Sequence, residues 1–135
     1  MLTEKEIQAA RDCIGYAVAN GADGARATLN KSVLDSCTMF NGTLDKVTHS
    51  ADRSIYLYIY ADGRYGTFST NRLETSELEE FIRKAIAMVR MLGEDPCRRL
   101  PDPSRTAKDA VTGQELELYD EEYVNMNIDR RLENA

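Results

Sequence analysis

Two dipeptides, Asn41-Gly42 and Asp62-Gly63, constrain this chain more than any other feature, because each interrupts a run of β-branched and aromatic residues reaching from Ala25 to Thr70. Both favour the type I′ turn. Its two central residues need positive φ, and its twist matches that of flanking antiparallel strands. The expectation is two hairpins and a meander of four or five strands.

The second hairpin can be read in register. A two-residue loop at Asp62-Gly63 sets Ala61 opposite Arg64, Tyr60 opposite Tyr65, Ile59 opposite Gly66, Tyr58 opposite Thr67, Leu57 opposite Phe68 and Tyr56 opposite Ser69. Strand side chains alternate, so Ile55, Leu57, Ile59 and Phe68 share one face, and Tyr56, Tyr58, Tyr60 and Tyr65 share the other. The aliphatic face is the predicted core. Between residues 33 and 49 neither parity separates apolar from polar, so the register of the first hairpin is weakly specified.

Helices flank the strands. Thr3 and Glu6 have capping-box spacing, and Ile7, Ala10, Ile14, Ala17 and Val18 recur on one face up to Asn20-Gly21, where glycine can supply a left-handed cap. Gly15 within that helix suggests a closely packed neighbouring backbone. Ser76 and Glu79 repeat the capping spacing ahead of Leu78, Phe81, Ile82, Ala85, Ile86, Val89 and Leu92, a wide stripe ending at Gly93. Asp95-Pro96 and Pro101-Asp102-Pro103 then predict an extended connection over 94–113. The last stretch, with Leu118, Tyr119, Tyr123, Val124, Ile128 and Leu132, has too few apolar positions to stand alone as a helix. The fold class is therefore α+β, with both helices on the aliphatic face and an irregular C-terminal extension. Residues 1–103 form the domain, and 104–135 a linker with the start of a following segment.

Composition narrows the function classes. A net charge of −6 repels a phosphate backbone, and Arg98-Arg99 sit among Asp95, Asp102 and Asp109, so no nucleic-acid footprint is read. Three widely spaced cysteines, Cys13, Cys37 and Cys97, fit a reducing, cytoplasmic setting and read as packing residues rather than nucleophiles. No apolar run is long enough to span a membrane. The single histidine, His49, reads as a surface or hydrogen-bonded residue, since zinc requires three or four converging donors. Catalytic and metal residues are thus expected to be absent, with no cofactor held by this chain. Glu115, Glu117, Asp120, Glu121 and Glu122 read as a solvated acidic face.

Taken in order, Gly21-Ala22-Asp23, Asn41-Gly42, Asp62-Gly63-Arg64-Tyr65-Gly66, Ser69-Thr70-Asn71, Asp95-Pro96 and Pro101-Asp102-Pro103 make the chain similar to the N-terminal domain of the TldD/PmbA family. That family is named for proposed modulation of DNA gyrase and contains zinc metallopeptidases. The resemblance covers about residues 3–103, with a fainter echo at Leu118-Tyr119-Asp120. It implies a non-catalytic domain that assists assembly and admits extended peptides. It further implies zinc, held on His-Glu-x-x-x-His, in a C-terminal part beyond this sequence, and as partners that part, a homo- or hetero-dimer mate and unfolded peptide. The pattern stops in mid-stride at Asp129-Arg130-Arg131-Leu132, as a fragment would. The alternative is a stand-alone interaction module or a degenerate relative without peptidase activity.

Most signature residues have structural readings: Asn41, Gly42, Asp62, Gly63, Arg64 and Gly66 as turn chemistry, and Ser69, Thr70 and Asn71 as a strand exit before a helix. The tyrosine face asks for a function, because each ring offers apolar area and a hydroxyl at low entropic cost. Three placements fit it: under the proline-rich tail of the same chain, in a subunit or interdomain contact, or lining a groove for an extended peptide.

Overall fold

The structure, a computed structural model, describes residues 2–106, 120, 122 and 125–133. In chain order it contains α1 (Glu4–Ala19), β1 (Gly24–Phe40), β2 (Thr43–Ala61), β3 (Arg64–Thr70), α2 (Thr75–Val89), a 3-10 turn (Pro103–Arg105) and α3 (Ile128–Glu133). The sheet has three strands in the order β1-β2-β3. This is the expected α+β meander with fewer strands, because β1 and β2 run unbroken for 17 and 19 residues, about three times the usual strand length of 5–6.

The chain divides into two compact units, one formed by 1–33 and 51–101, the other by 34–50 and 102–135. In the first unit, β2 and β3 pair in the register read from the sequence, Tyr60 facing Tyr65 and Leu57 facing Phe68. Asn41 and Gly42 (φ 49° and 75°) and Asp62 and Gly63 (φ 52° and 70°) all adopt the positive φ that the turns require.

Alternation along β2 buries Ile55, Leu57 and Ile59, and these join Cys13 and Ala17 of α1 and Leu78, Ile82, Ala85, Ile86 and Val89 of α2 in one core. Phe68 packs against its edge, ring to ring with Phe81 at 6.4 Å. Gly66 is required by close approach. A Cβ there would stand 2.8 Å from Val89 Cγ2 and 2.9 Å from the Phe68 ring.

Both helices differ in detail from expectation. The buried stripe of α1 runs through Glu6, Cys13 and Ala17, while Val18 is 52% exposed and Ile7 and Ile14 are marginal. The stripe is rotated because α1 meets the core along its small residues, which let it approach closely. Gly15 has open space around it rather than a packed backbone. The expected capping box at Ser76 and Glu79 does not form. Helix α2 starts at Thr75 from Glu74 without a side-chain cap; burial first, and then the Glu79 carboxylate, raise the pKa of the Tyr16 phenol. The helix ends at Val89 rather than Gly93, leaving Leu92 exposed.

In the second unit Leu34, Met39, Phe40, Leu44 and Val47 are exposed, so apolar side chains of both parities of the first hairpin face solvent; the sequence pattern assigns no face there. His49 and Arg131 both pair with Asp35, the latter at 2.8 Å. The His49 hydrogen bond and then Arg131 hold the Asp35 carboxyl below its ordinary range. Residues 107–119, with Tyr123 and Val124, lie outside the described residues, as do Glu115, Glu117 and Glu121 of the acidic stretch.

Glu6 is the one buried charged residue described. The box closes as expected: the Thr3 backbone N–H donates to Glu6 Oε2 at 2.8 Å and the Glu6 N–H to Thr3 Oγ1 at 3.3 Å, while Lys31 Nζ lies 3.2 Å from Oε1. The Thr3 N–H, reinforced by Lys31 and opposed by burial, brings the carboxyl from 4.5 down to about 2. A folded pKa below the unfolded one stabilises above pH 4.5, and that contribution disappears as pH falls towards 2. The melting-temperature gap between wild type and Glu6→Gln should therefore be widest near neutrality and close over that window. Acid melts showing a constant gap contradict this origin. Gly66→Ala should lose about 1–3 kcal/mol in urea unfolding, the usual cost of overpacking.

Candidate functional site

The second face of the sheet carries no helix among the described residues. Ala25, Ala27 and Leu29 of β1 pack against the core, so alternation places Gly24, Arg26 and Thr28 with Tyr56, Tyr58 and Tyr60 of β2 and Tyr65 and Thr67 of β3. Tyr58 and Tyr65 stack with centroids 6.5 Å apart, and Tyr60 lies 5.0 Å from Tyr65. Thr67 Oγ1 donates to the Tyr65 oxygen at 2.8 Å.

Two guanidiniums cap these rings. Arg26 lies 5.2 Å from the centre of Tyr58 and Arg98 5.0 Å from that of Tyr65, both within cation–π range. Arg98 arrives on the segment after α2, which also sets Leu100 over the start of β1. A Cβ on Gly24 would stand 2.5 Å from Leu100 Cδ1, so glycine there admits the segment. Tyr60, Arg98, Arg99 and Leu100 line a hollow of about 260 Å³ with Gly24 and Gly63. Burial, then Tyr65, push the Tyr60 phenol up, and Arg98 and Arg26 oppose them. The proline-rich segment thus covers the Tyr60–Tyr65 end, while Tyr58 is half-buried and Tyr56 remains 38% exposed at the other.

Part of the signature, Gly21, Asp23, Asp62, Gly63, Arg64 and Asp95, meets beside this face in one hydrogen-bonded set. The Asp62 N–H donates to Asp23 Oδ2 at 2.7 Å, and the Asp23 N–H donates to the Tyr60 carbonyl at 2.8 Å. Arg90 reaches Asp62 Oδ2 and the Gly21 carbonyl, both at 3.0 Å. Arg64 divides its donors among the Leu92 carbonyl (2.9 Å), the Asp62 carbonyl (2.7 Å) and Glu94 (3.1 Å). The Asp95 N–H closes the set on the Gly63 carbonyl at 3.0 Å. Thr70 accepts from the Arg72 N–H at 3.1 Å in the strand exit, whereas Ser69 and Asn71 are exposed. Asn41 and Gly42 turn a hairpin tip in the other unit.

A larger concavity of about 390 Å³ lies between the starts of α1 and α2, with Ala9, Leu73 and Leu78 in its lining. Its buried acid, Glu6, is already satisfied by Thr3 and Lys31. Among the described residues no group of three or more His, Cys, Asp or Glu could hold a metal ion, and no helix is long and apolar enough to cross a membrane. Burial raises the Cys13 thiol to about 11, which suits packing rather than reactivity.

The sequence pattern groups the four tyrosines on one face, as the β2–β3 register and the ring contacts have them, and gives no place there to Arg26, Arg98, Arg99 or Leu100. Arg26 carried a usable signal, because its parity along β1 opposes that of Ala25 and Ala27. The return of 98–100 onto the sheet is a tertiary contact without a local signature.

A three-stranded meander with two helices on one face and an aromatic, cationic opposite face defines an α+β domain of the kind found inside larger proteins. Residues 25–89 match the family model described as PmbA/TldA metallopeptidase domain 1. A candidate modulator of DNA gyrase from Bacteroides thetaiotaomicron superposes with a TM-score of 0.81 at 34% identity, over 98% of this chain and 30% of that one. TldE from Thermococcus kodakarensis gives 0.63 at 16% identity, over 83% and 25% respectively, and at that identity shares the fold alone. No curated protein matches significantly. The chain belongs to the PmbA/TldD family and carries its first domain. It spans between a quarter and a third of the length of these solved relatives.

The Arg64 fork gives a direct test. Arg64→Lys keeps the charge but cannot serve three acceptors in one plane, so it should lose about 1–2 kcal/mol. Chemical denaturation showing no loss would mean that the fork is dispensable.

Proposed function

We propose that this domain performs no chemistry itself and serves assembly and the admission of extended peptides in a longer metallopeptidase of the PmbA/TldD type. The observation that carries this reading is the sheet face that carries no helix among the described residues. Its tyrosines supply apolar area and hydroxyls at low entropic cost, and its edge strand β1 offers the backbone of residues 24–33 in the same unit. An extended peptide pairs with such an edge through main-chain hydrogen bonds, which tolerate any sequence and suit capture of unfolded segments.

In this reading residues 1–103 are the domain, and 104–135 lead into the following part of the protein. Zinc and its ligands belong to that part, since hydrolysis at zinc needs three protein ligands and an open position. The partners are that C-terminal part, a second subunit, identical or related, and the peptide, in the cytoplasm and without nucleic acid. The metallopeptidase label comes from the family description. The gyrase association comes from the Bacteroides relative, and no gyrase contact is assigned to these residues.

Two measurements check the reading. The isolated chain should bind no stoichiometric zinc and leave an unstructured peptide intact; metal analysis and mass spectrometry showing the opposite would move the chemistry into this domain. Tyr58→Ser should weaken self-association or docking of the remaining part more than folding. Sedimentation showing unchanged assembly beside a large fall in melting temperature would make Tyr58 a packing residue only.

A further inference from the structure

We infer that the peptide admitted at the tyrosine face is acidic: Arg26 and Arg98, stacked on Tyr58 and Tyr65, with Arg99 beside them, engage the carboxylates of an extended Asp/Glu-rich segment. This rests on the reading of that face as a peptide-contacting surface and adds the chemistry of the occupant.

The charges around the face argue for it. The chain as a whole carries −6, yet cations outnumber the carboxylates beside this face. Asp23 lines the hollow and keeps its charge while accepting the Asp62 N–H at 2.7 Å. Asp95 accepts the Cys97 N–H at 3.0 Å and pairs loosely with Arg98 at 3.6 Å, leaving Arg98 59% exposed. Asp62 and Glu94 are paired with Arg90 and Arg64, so among the described residues Arg26, Arg98 and Arg99 face only Asp23 and Asp95. Arg64 has its donors placed on backbone and Glu94. Arg26 has its contact through the Tyr58 ring, and Arg99 makes no hydrogen bond or ion pair among the described residues. Both are exposed.

Stacking explains why these guanidiniums suit carboxylates. A guanidinium over a ring is held by its face, while its N–H edge can still fork onto a carboxylate through two parallel hydrogen bonds. The tyrosines then contribute area along the segment. Nucleic acid could use the same stacking and charge, but three arginines on a chain of net −6 make a local patch whose surroundings repel a long polyanion.

The test uses fluorescence anisotropy on the whole chain, with labelled disordered peptides of a Gly/Ser/Tyr background carrying Glu, Gln or Lys at alternate positions. The Glu peptide should bind about tenfold tighter than the Gln peptide at low salt, with the Lys peptide weakest and the preference falling as salt rises. Arg26→Gln with Arg99→Gln should remove most of the preference. Arg99→Gln alone, at an exposed site, should remove part of it with an unchanged melting curve. Equal binding of Glu and Gln peptides, both weakened by Tyr58→Ser, overturns the acidic preference and leaves the peptide-contacting reading standing. No binding of any peptide overturns both. A single-stranded oligonucleotide that binds more tightly than the Glu peptide, and loses binding in the double variant, overturns the proposal in favour of nucleic acid.

Discussion

The fold of the first unit depends on the two-residue turn at Asp62-Gly63. Positive φ at both residues sets the β2–β3 register, and that register decides which side chains of β2 are buried. A slip of one residue would exchange Ile55, Leu57 and Ile59 for tyrosines in the core. The turn is also the anchor for chain ends that would otherwise be loose. Asp62 meets the Asp23 turn after α1 and Arg90 at the end of α2, while Arg64 and the Gly63 carbonyl hold residues 92–95. Each bond is partly exposed and contributes modestly alone. Together they fix where α1 ends, where α2 ends and where the next segment begins.

That anchoring shapes the second face. Residues 92–95 are tied to the turn, so the chain that follows is delivered across the sheet, bringing Arg98 onto Tyr65 and Leu100 onto Gly24. The asymmetry of the domain follows. One face is closed by α1 and α2 over aliphatic side chains, and the other carries, among the described residues, a strap at one end with aromatic rings and guanidiniums. Gly66 and Gly24 play matching parts, each removing a side chain where another element must come close, α2 at one and the strap at the other.

What could be read from the sequence divides along the range of the interactions. The turns, the β2–β3 register, the Thr3–Glu6 box and the buried set of β2 and α2 were legible, because each is written in residues close in sequence or locked by alternation. The strand count was not, since nothing local signals that β1 and β2 run unbroken. Nor was the start of α2. Ser76 and Glu79 have the spacing of a capping box, yet the helix starts one residue ahead of Ser76, from Glu74 without a side-chain cap. The α1 stripe failed because proximity favours the small face carrying Cys13 and Ala17 over the larger Ile7 and Ile14. At the candidate site the tyrosines were legible by parity. The arginines above them belong to a tertiary return of the chain and were not.

The pairing of tyrosine with arginine bears on how such a face could bind without a deep pocket. A flexible cation on an open surface must be ordered when it meets a carboxylate, and the lost rotamer freedom offsets much of the gain. Arg26 and Arg98 are already held over rings, so less ordering remains for the encounter. The rings are themselves held in the register that Asp62-Gly63 sets. Binding capacity on this face is therefore a consequence of the same turn that places the core, and a change loosening the turn would weaken the face before it emptied the core.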